Sequence, residues 1–356
     1  MRTWMKAAGA VALVVVATTP GTAAATTMGS GWRIDDVPLD AVLYDAASGG
    51  SATTWAVGAL IDDNFTALAL RWDGRGWART AVPVSGASRL DGVDVVNART
   101  VWAVGSADDH TLAARWDGLA WRTTPTQDTP GMTARLVRVD AVSDRAAWAV
   151  GSEQALDSSR GLVYRWDGRL WSRVPLPDAD LGDYTLAAVH ARSATDVWIA
   201  GHTYQPNEAL LLHWDGHRWT RAALPSFAGV TLESVVARST SEVWALGWTH
   251  TGTTASRRPL ALRFDGREWT VVPSPDDFGH VIDAVVHGGA VWAGGYGETP
   301  SLARLTRGWT PVPTPELPEG TYFGVTVVPG RGLLAVGARW AEDAPRPLIV
   351  WHPLAP

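Results

Sequence analysis

Val101-Trp102-Ala103-Val104-Gly105, followed by Arg115-Trp116-Asp117-Gly118-Leu119-Ala120-Trp121, is the stretch whose reading decides the fold. Its first half recurs around Trp55, Trp148, Trp198, Trp244 and Trp292, and in degenerate form at Leu334-Ala335-Val336-Gly337, at intervals of 42 to 50 residues. A self-similar unit of that length is the signature of a propeller blade, one small antiparallel sheet per repeat. Each copy reads as four strands. An alternating stretch such as Leu136, Val137, Val139 and Ala141 forms strand a, the Trp-Ala-Val-Gly segment strand b, a segment ending in Arg-Trp strand c, and a further tryptophan opens strand d.

Between strands c and d stand Asp73-Gly74, Asp117-Gly118, Asp167-Gly168, Asp215-Gly216 and Asp265-Gly266. Asp-Gly between two β-like runs predicts a two-residue hairpin with positive φ at both central positions, so turn chemistry explains these aspartates before catalysis does. The sixth copy breaks the pattern at Leu305-Thr306-Arg307-Gly308 and the seventh ends at Trp351-His352-Pro353, so these two hairpins should be the least regular.

The strand-d tryptophans are Trp77, Trp121, Trp171, Trp219, Trp269 and Trp309, and the seventh copy runs out of residues at its strand c. Gly31-Trp32-Arg33 near the other end, leading to Val37-Pro38, matches Gly308-Trp309-Thr310 and its Val312-Pro313. The expected fold is therefore all-β: a seven-bladed β-propeller of four-stranded antiparallel blades over residues 26–356, closed into a ring by an N-terminal strand that completes the last blade. Most of the 21 tryptophans fall at fixed repeat positions. Each can bury about 150–250 Å², or roughly 4–6 kcal/mol gross, so packing between blades is their expected use.

Arg2 and Lys6 precede an apolar run from Ala7 to Ala17 and small residues at Ala23–Ala25, which reads as a secretory leader over residues 1–25. The run is about half of what a membrane span needs. Without the leader the protein holds 28 basic and 36 acidic residues, a formal charge of −8, which argues against nucleic acid as a partner. The sequence has no cysteine, so in a secreted protein burial alone holds the fold, and thiol chemistry is excluded.

The paired motifs Val-Trp-Ala-Val-Gly and Arg-Trp-Asp-Gly-Xaa-Xaa-Trp resemble the repeats of secreted bacterial propellers of the kelch and galactose-oxidase central-domain group, over about residues 31–353. The resemblance implies the fold and little about activity. The copper chemistry of that group needs a tyrosine crosslinked to cysteine, which this sequence cannot supply.

In a propeller the b–c and d–a connections share one face, and here they are the long, varied ones, so binding is expected there. Candidate ligand contacts are Asp62, Asp63, Asp108, Asp109, Tyr204, Asn207, Trp248, His250, Tyr296 and Trp340, with Glu298, Glu342 and Asp343 in the same set of loops. Trp248 and Trp340 lie outside the repeated tryptophan positions. Acidic and aromatic residues together suit sugars, cationic groups or a weakly held calcium ion; no other cofactor is called for.

No Gly-Xaa-Ser-Xaa-Gly, phosphate-cradling or His-Glu-Xaa-Xaa-His motif occurs. His213 and His217 flank an Asp-Gly turn, where pairing of Trp214 with His217 would set the two imidazoles on opposite faces. The leading expectation is a secreted, monomeric, non-catalytic binding or scaffold module for an extracellular glycan, peptide or protein. The alternative is a polysaccharide hydrolase or lyase using acidic residues in the propeller funnel. A central funnel holding two buried carboxylates near an arginine favours the enzyme, and a flat or solvent-filled mouth favours binding.

Overall fold

A computed structural model describes residues 24–27, 31–177, 181–227, 229–250, 257–275, 278–296, 300–314, 319–340 and 344–354. Most of the expected leader, residues 1–23, lies outside the described residues, as do Glu298, Glu342 and Asp343. Seven antiparallel sheets follow one another along the sequence. We label them blades I–VII, spanning residues 41–80, 88–123, 133–173, 184–221, 230–272, 280–312 and 320–352. Their strands a, which pack against one another around the axis, are Ala41–Ser48, Ser88–Asn97, Thr133–Ser143, Tyr184–Ser193, Val230–Ser239, His280–His287 and Gly320–Val328. Among the described residues no α-helix occurs, and no helix is long and apolar enough to cross a membrane.

Blade VII takes its strand d from the N-terminal side: Arg33–Asp36 pairs with Pro345–His352, with Arg33 opposite Trp351 and Asp35 opposite Ile349. Ala24–Thr27 adds a fifth strand outside it, which the repeat does not foretell. The ring is thus closed by hydrogen bonds between segments that are remote in sequence.

Seven apolar clusters lie between adjacent blades, and the repeated tryptophans build them. The strand-b tryptophan of one blade meets the strand-c and strand-d aromatics of the next. Trp55 lies 5.0 Å from both Trp116 and Trp121, with Trp121 edge-on. Trp102 with Trp166 and Trp171, Trp148 with Trp214 and Trp219, and Trp198 with Phe264 and Trp269 repeat the arrangement. Tilted and edge-on indoles are the favoured geometries of aromatic pairs. At the VI–VII seam His352 takes the strand-c place, 4.5 Å from Trp32 and 5.8 Å from Trp292. At the closing seam Leu334 stands where other blades have a tryptophan, and Trp351, one residue out of phase, packs on Trp72 instead.

The c–d turns differ from the expected two-residue hairpin. The last strand pair is Trp72 with Trp77, and likewise Trp116 with Trp121, so four residues form each loop. The aspartate accepts two backbone N–H groups with one oxygen, from Arg75 and Gly76 to Asp73 Oδ1 at 2.8 and 2.9 Å, and only the glycine has positive φ. A carboxylate that caps its own loop makes the longer turn the better one. These bonds hold the Asp73 carboxyl below its usual value, and Arg122 helps bring that of Asp117 down to about 2. The same geometry corrects the histidine pairing: Trp214 faces Trp219, His217 N–H bonds Asp215, and His213 stacks on Trp198 while contacting Asp196 Oδ1 at 2.9 Å. Blade VI shortens the loop to Thr306-Arg307-Gly308. Blade VII has no c–d hairpin at all, because its strand d arrives from the N-terminal side.

Candidate functional site: an axial funnel

Strand a does not keep its alternation. In every blade one residue is squeezed out of the ladder to strand b: Tyr44, Asp91, Val137, Ala187, Glu233, Ile282 and Phe323. A β-bulge bends its strand and re-aims a side chain. All seven bulged residues line one cavity of about 320 Å³ at the axis, on the face of the b–c and d–a connections.

The bulge also explains the glycine that ends the repeat motif. A Cβ on Gly105 would sit 2.0 Å from the Arg89 carbonyl oxygen, and one on Gly58 1.9 Å from that of Val42. The remaining copies, Gly151, Gly201, Gly247, Gly295 and Gly337, face the same obstruction. Only a residue without a side chain lets strand b approach a bulged strand so closely.

The funnel is charged. Asp91 is buried, with Arg89 Nη2 at 2.6 Å and Arg135 Nε at 3.3 Å. Burial raises the Asp91 pKa, and Arg135 and Arg89 work against that. Burial lowers the Arg135 pKa; Asp91 opposes this, while the like charges of Arg89 and Arg138 add to it. Arg89 also lies over the ring of Tyr44 at 4.0 Å. On blade V the half-buried Glu233 carboxyl accepts from Trp248 Nε1 at 3.3 Å, and its pKa is raised by desolvation against the pull of Trp248, Arg138 and Arg257.

Beneath them Arg138 closes the channel, donating to the carbonyls of Asp91 and Val137 at 3.1 Å and of Phe323 at 3.3 Å. Burial opposes its charge, but Asp45 and Asp283 outweigh that and raise its pKa. Burial pushes the Asp45 carboxyl up to about 7 even so. These carboxylates serve the ring as well: Asp45 accepts from Val93 N–H, Asp94 from Ala141 N–H, Asp140 from Ala191 N–H and Asp283 from Val325 N–H, each bond crossing to the next blade.

Of the ten candidates, the structure brings four towards this funnel. Trp248 bonds its wall directly and is partly buried rather than exposed. His250 and His280 meet the Trp248 ring, and Tyr296 meets His280. Burial and the Arg257 charge push His280 down to about 4. Tyr204 packs edge-on to His202, a lining residue.

The acidic candidates instead build turns. Asp62 caps its own loop through Asn64 N–H and both polar groups of Thr66. Asp108 and Asp109 both have positive φ between the paired Ala107 and His110, so the two-residue hairpin expected at Asp-Gly occurs here. Asp63 and Trp340 are exposed away from the funnel, and Asn207 is partly buried in the blade IV b–c loop. Among the described residues no three His, Asp or Glu side chains are grouped to hold a metal ion.

Sequence reasoning missed Tyr44, Arg89, Asp91, Arg135, Arg138, Glu233 and Phe323, all on strands a. The signal was present. Core residues stand three apart, as in Leu90–Val93 and Leu232–Val235, where an unbroken strand would space them by two.

No protein-family model matches the sequence, and no curated protein matches it either. Solved structures share its fold. YCF48 bound to D1 peptide superposes with a TM-score of 0.59 at 14% identity, over 95% of this protein and 100% of that one. The WD40 β-propeller domain of Doa1 gives 0.60 at 10% identity, over 92% and 97%. The family 74 xyloglucanase from Xanthomonas campestris gives 0.55 at 14% identity, over 83% of this protein and 50% of that one. At such identities the likeness is one of fold alone: this is a seven-bladed β-propeller.

Proposed function

We propose that the protein is a secreted, non-catalytic binding propeller that takes a segment of a peptide or protein partner into the axial funnel. The observation that carries this is the convergence of seven bulged side chains on one cavity in the loop-rich face. The volume, about 320 Å³, suits a few residues of a peptide. Solved propellers of similar shape include one with a bound peptide.

A peptide fits better than a glycan, because sugars stack on open aromatic faces. Here Arg89 covers a face of Tyr44 and Arg257, at 4.4 Å, a face of Trp248. A glycosidase needs two carboxyl groups free to act on one bond. Buried carboxylates beside arginines are what such an enzyme would show, but here their engagement weighs the other way. Asp91 is shared by two arginines, and Asp45 and Asp283 are held by backbone N–H groups.

Glu233 alone keeps the hydrolase reading in play, since burial holds its carboxyl towards the neutral acid form a general acid uses. Kinship with the kelch and galactose-oxidase group, without copper chemistry, belongs to the same proposal.

The test is a pull-down of random octapeptide pools by the immobilised protein, beside an Ala187→Trp variant that fills the funnel from its wall. Peptides retained by the parent and lost by the variant support the reading. Turnover of a plant or bacterial polysaccharide that disappears in Glu233→Gln overturns it in favour of the hydrolase. Export is checked separately, by the N-terminal sequence of protein recovered from medium.

A further inference from the structure

Two guanidinium groups at the funnel mouth share a single carboxylate, and they share it incompletely. Arg89 engages Asp91 Oδ1 at 2.6 Å. Arg135 Nε stands 3.3 Å from Asp91 Oδ2 without hydrogen-bond alignment, so that oxygen and the Nε atoms of both arginines are buried with no hydrogen-bond partner within the protein. An arginine offers five donors in a rigid fork, and a carboxylate is the group whose geometry fits it.

The neighbouring carboxyl groups are already engaged elsewhere. Arg138 lies directly below, its own counter-charges Asp45 and Asp283 already bound by backbone N–H groups. Glu233 stands on blade V, three blades round from Asp91, and is engaged by Trp248. The mouth therefore presents two guanidinium groups to the one carboxylate of Asp91, beside the apolar walls of Val137, Ile282 and Phe323.

We infer that Arg89 and Arg135 form a carboxylate-recognition subsite, so that the peptide enters the funnel by an acidic group flanked by apolar residues. This rests on the peptide-binding reading above. Burial, with the like charges of Arg89 and Arg138 adding to it, opposes the charge of Arg135, and an incoming anion would favour that charge. The carboxylate has two sources, the free C-terminus of a peptide or an Asp or Glu side chain, and the chemistry at the arginines is the same for both.

The experiment uses two random octapeptide pools, one with free and one with amidated C-termini, on the full mature protein. A C-terminal ligand is expected to be retained about tenfold better from the free-acid pool, and a side-chain ligand to show about tenfold enrichment of Asp and Glu in the amidated pool. Arg135→Gln should weaken the selected peptides about tenfold or more, with the Tm unchanged, because its side chain is 43% exposed at the mouth. Arg89→Gln is the second variant, should Arg135→Gln prove unstable. Added salt should weaken binding in the parent and less so in either variant. Peptides that need the open funnel but show neither acidic preference nor sensitivity to Arg135→Gln overturn the subsite and leave the peptide reading standing. Pools from which nothing is lost on Ala187→Trp overturn both.

Discussion

Trp77 Nε1 donates to Asp35 Oδ2 at 3.0 Å across the seam where the ring closes. Asp35 belongs to strand d of blade VII and Trp77 to strand d of blade I. The same oxygen accepts from Trp351 Nε1 at 2.8 Å, and Arg33 Nε holds the other at 2.6 Å, with Asp35 only 1% exposed. Thr80 and Thr124 occupy the corresponding place at the next two seams and accept from Trp121 and Trp171. Where that place falls to Val174, the indole N–H of Trp219 is left without a partner. The acceptor that the repeat supplies at some seams is thus an aspartate serving two donors at the closure.

Asp35→Leu should therefore destabilise the fold more than its size suggests, by about 2–5 kcal/mol, since two buried indole donors lose their acceptor. Asp35→Thr should recover part of this. Thermal unfolding of the three proteins decides, and an unchanged Tm for Asp35→Leu would remove the clasp from the account of closure.

Gly105→Ala should cost about 3 kcal/mol or more, because the new methyl group lands on the Arg89 carbonyl and neither backbone can yield without breaking the bulge. Gly76→Ala is the control, with nothing within 4 Å of its new carbon. Denaturant titrations of both variants give the comparison; equal midpoints would refute the close-approach explanation of the motif.

Trp55→Ala should cost about 3–5 kcal/mol, since the ring is wedged between Trp116 and Trp121. Trp340→Ala, at a site 59% exposed, should stay within about 0.5 kcal/mol. Similar losses at the two positions would contradict the division between repeated and unrepeated tryptophans.

Stability should fall as pH rises from 6.5 to 8. Burial raises the Asp45 carboxyl from 3.8 to about 7, and burial with the Asp140 charge raises that of Asp94 to about 7. A carboxyl raised on folding binds more protons in the native state, so its contribution is complete below 3.8 and is lost up to about 7. His190, whose pKa is raised by its contact with Asp140 in spite of burial, acts in the same direction above 6.5. Burial lowers His202 and His352, and burial with Arg257 lowers His280 to about 4; these cost stability only as pH drops below 6.5. Above that point the acids act unopposed. Tm values at pH 6.5 and 8 should differ in the parent and less so in Asp94→Asn; a Tm that rises with pH would contradict the assignment.

The blades, their number and the partner of the last strand are legible because each rests on a pattern repeated many times over. Trp32 announces the missing strand d by matching Trp309, and the indoles announce the seams by recurring in phase. The c–d turn was less legible. Asp117-Gly118 fits two turn types equally well as a dipeptide, and the choice between them lies with the carboxylate reaching Leu119 and Ala120 N–H groups, which depends on where Trp116 and Trp121 meet. Among candidate site residues, Trp248, His250, Tyr204 and Tyr296 were legible because aromatic rings outside the repeat stand out, although Trp248, His250 and Tyr296 lie on the ends of strands b rather than in loops. The strand-a residues passed for ordinary strand.

The amino-acid sequence by itself determined a ring of seven tryptophan-packed sheets, since hydrophobic periodicity and turn chemistry are local properties that a polypeptide has whether folded or not. Only the tertiary structure decided which side chains share the axis. Tyr44 and Phe323 are neighbours there because closure brings blade I against blade VII and a bulge in each turns one residue inward. Distance along the sequence holds no record of that meeting, which exists only once the last sheet has accepted Arg33–Asp36 as its outer strand.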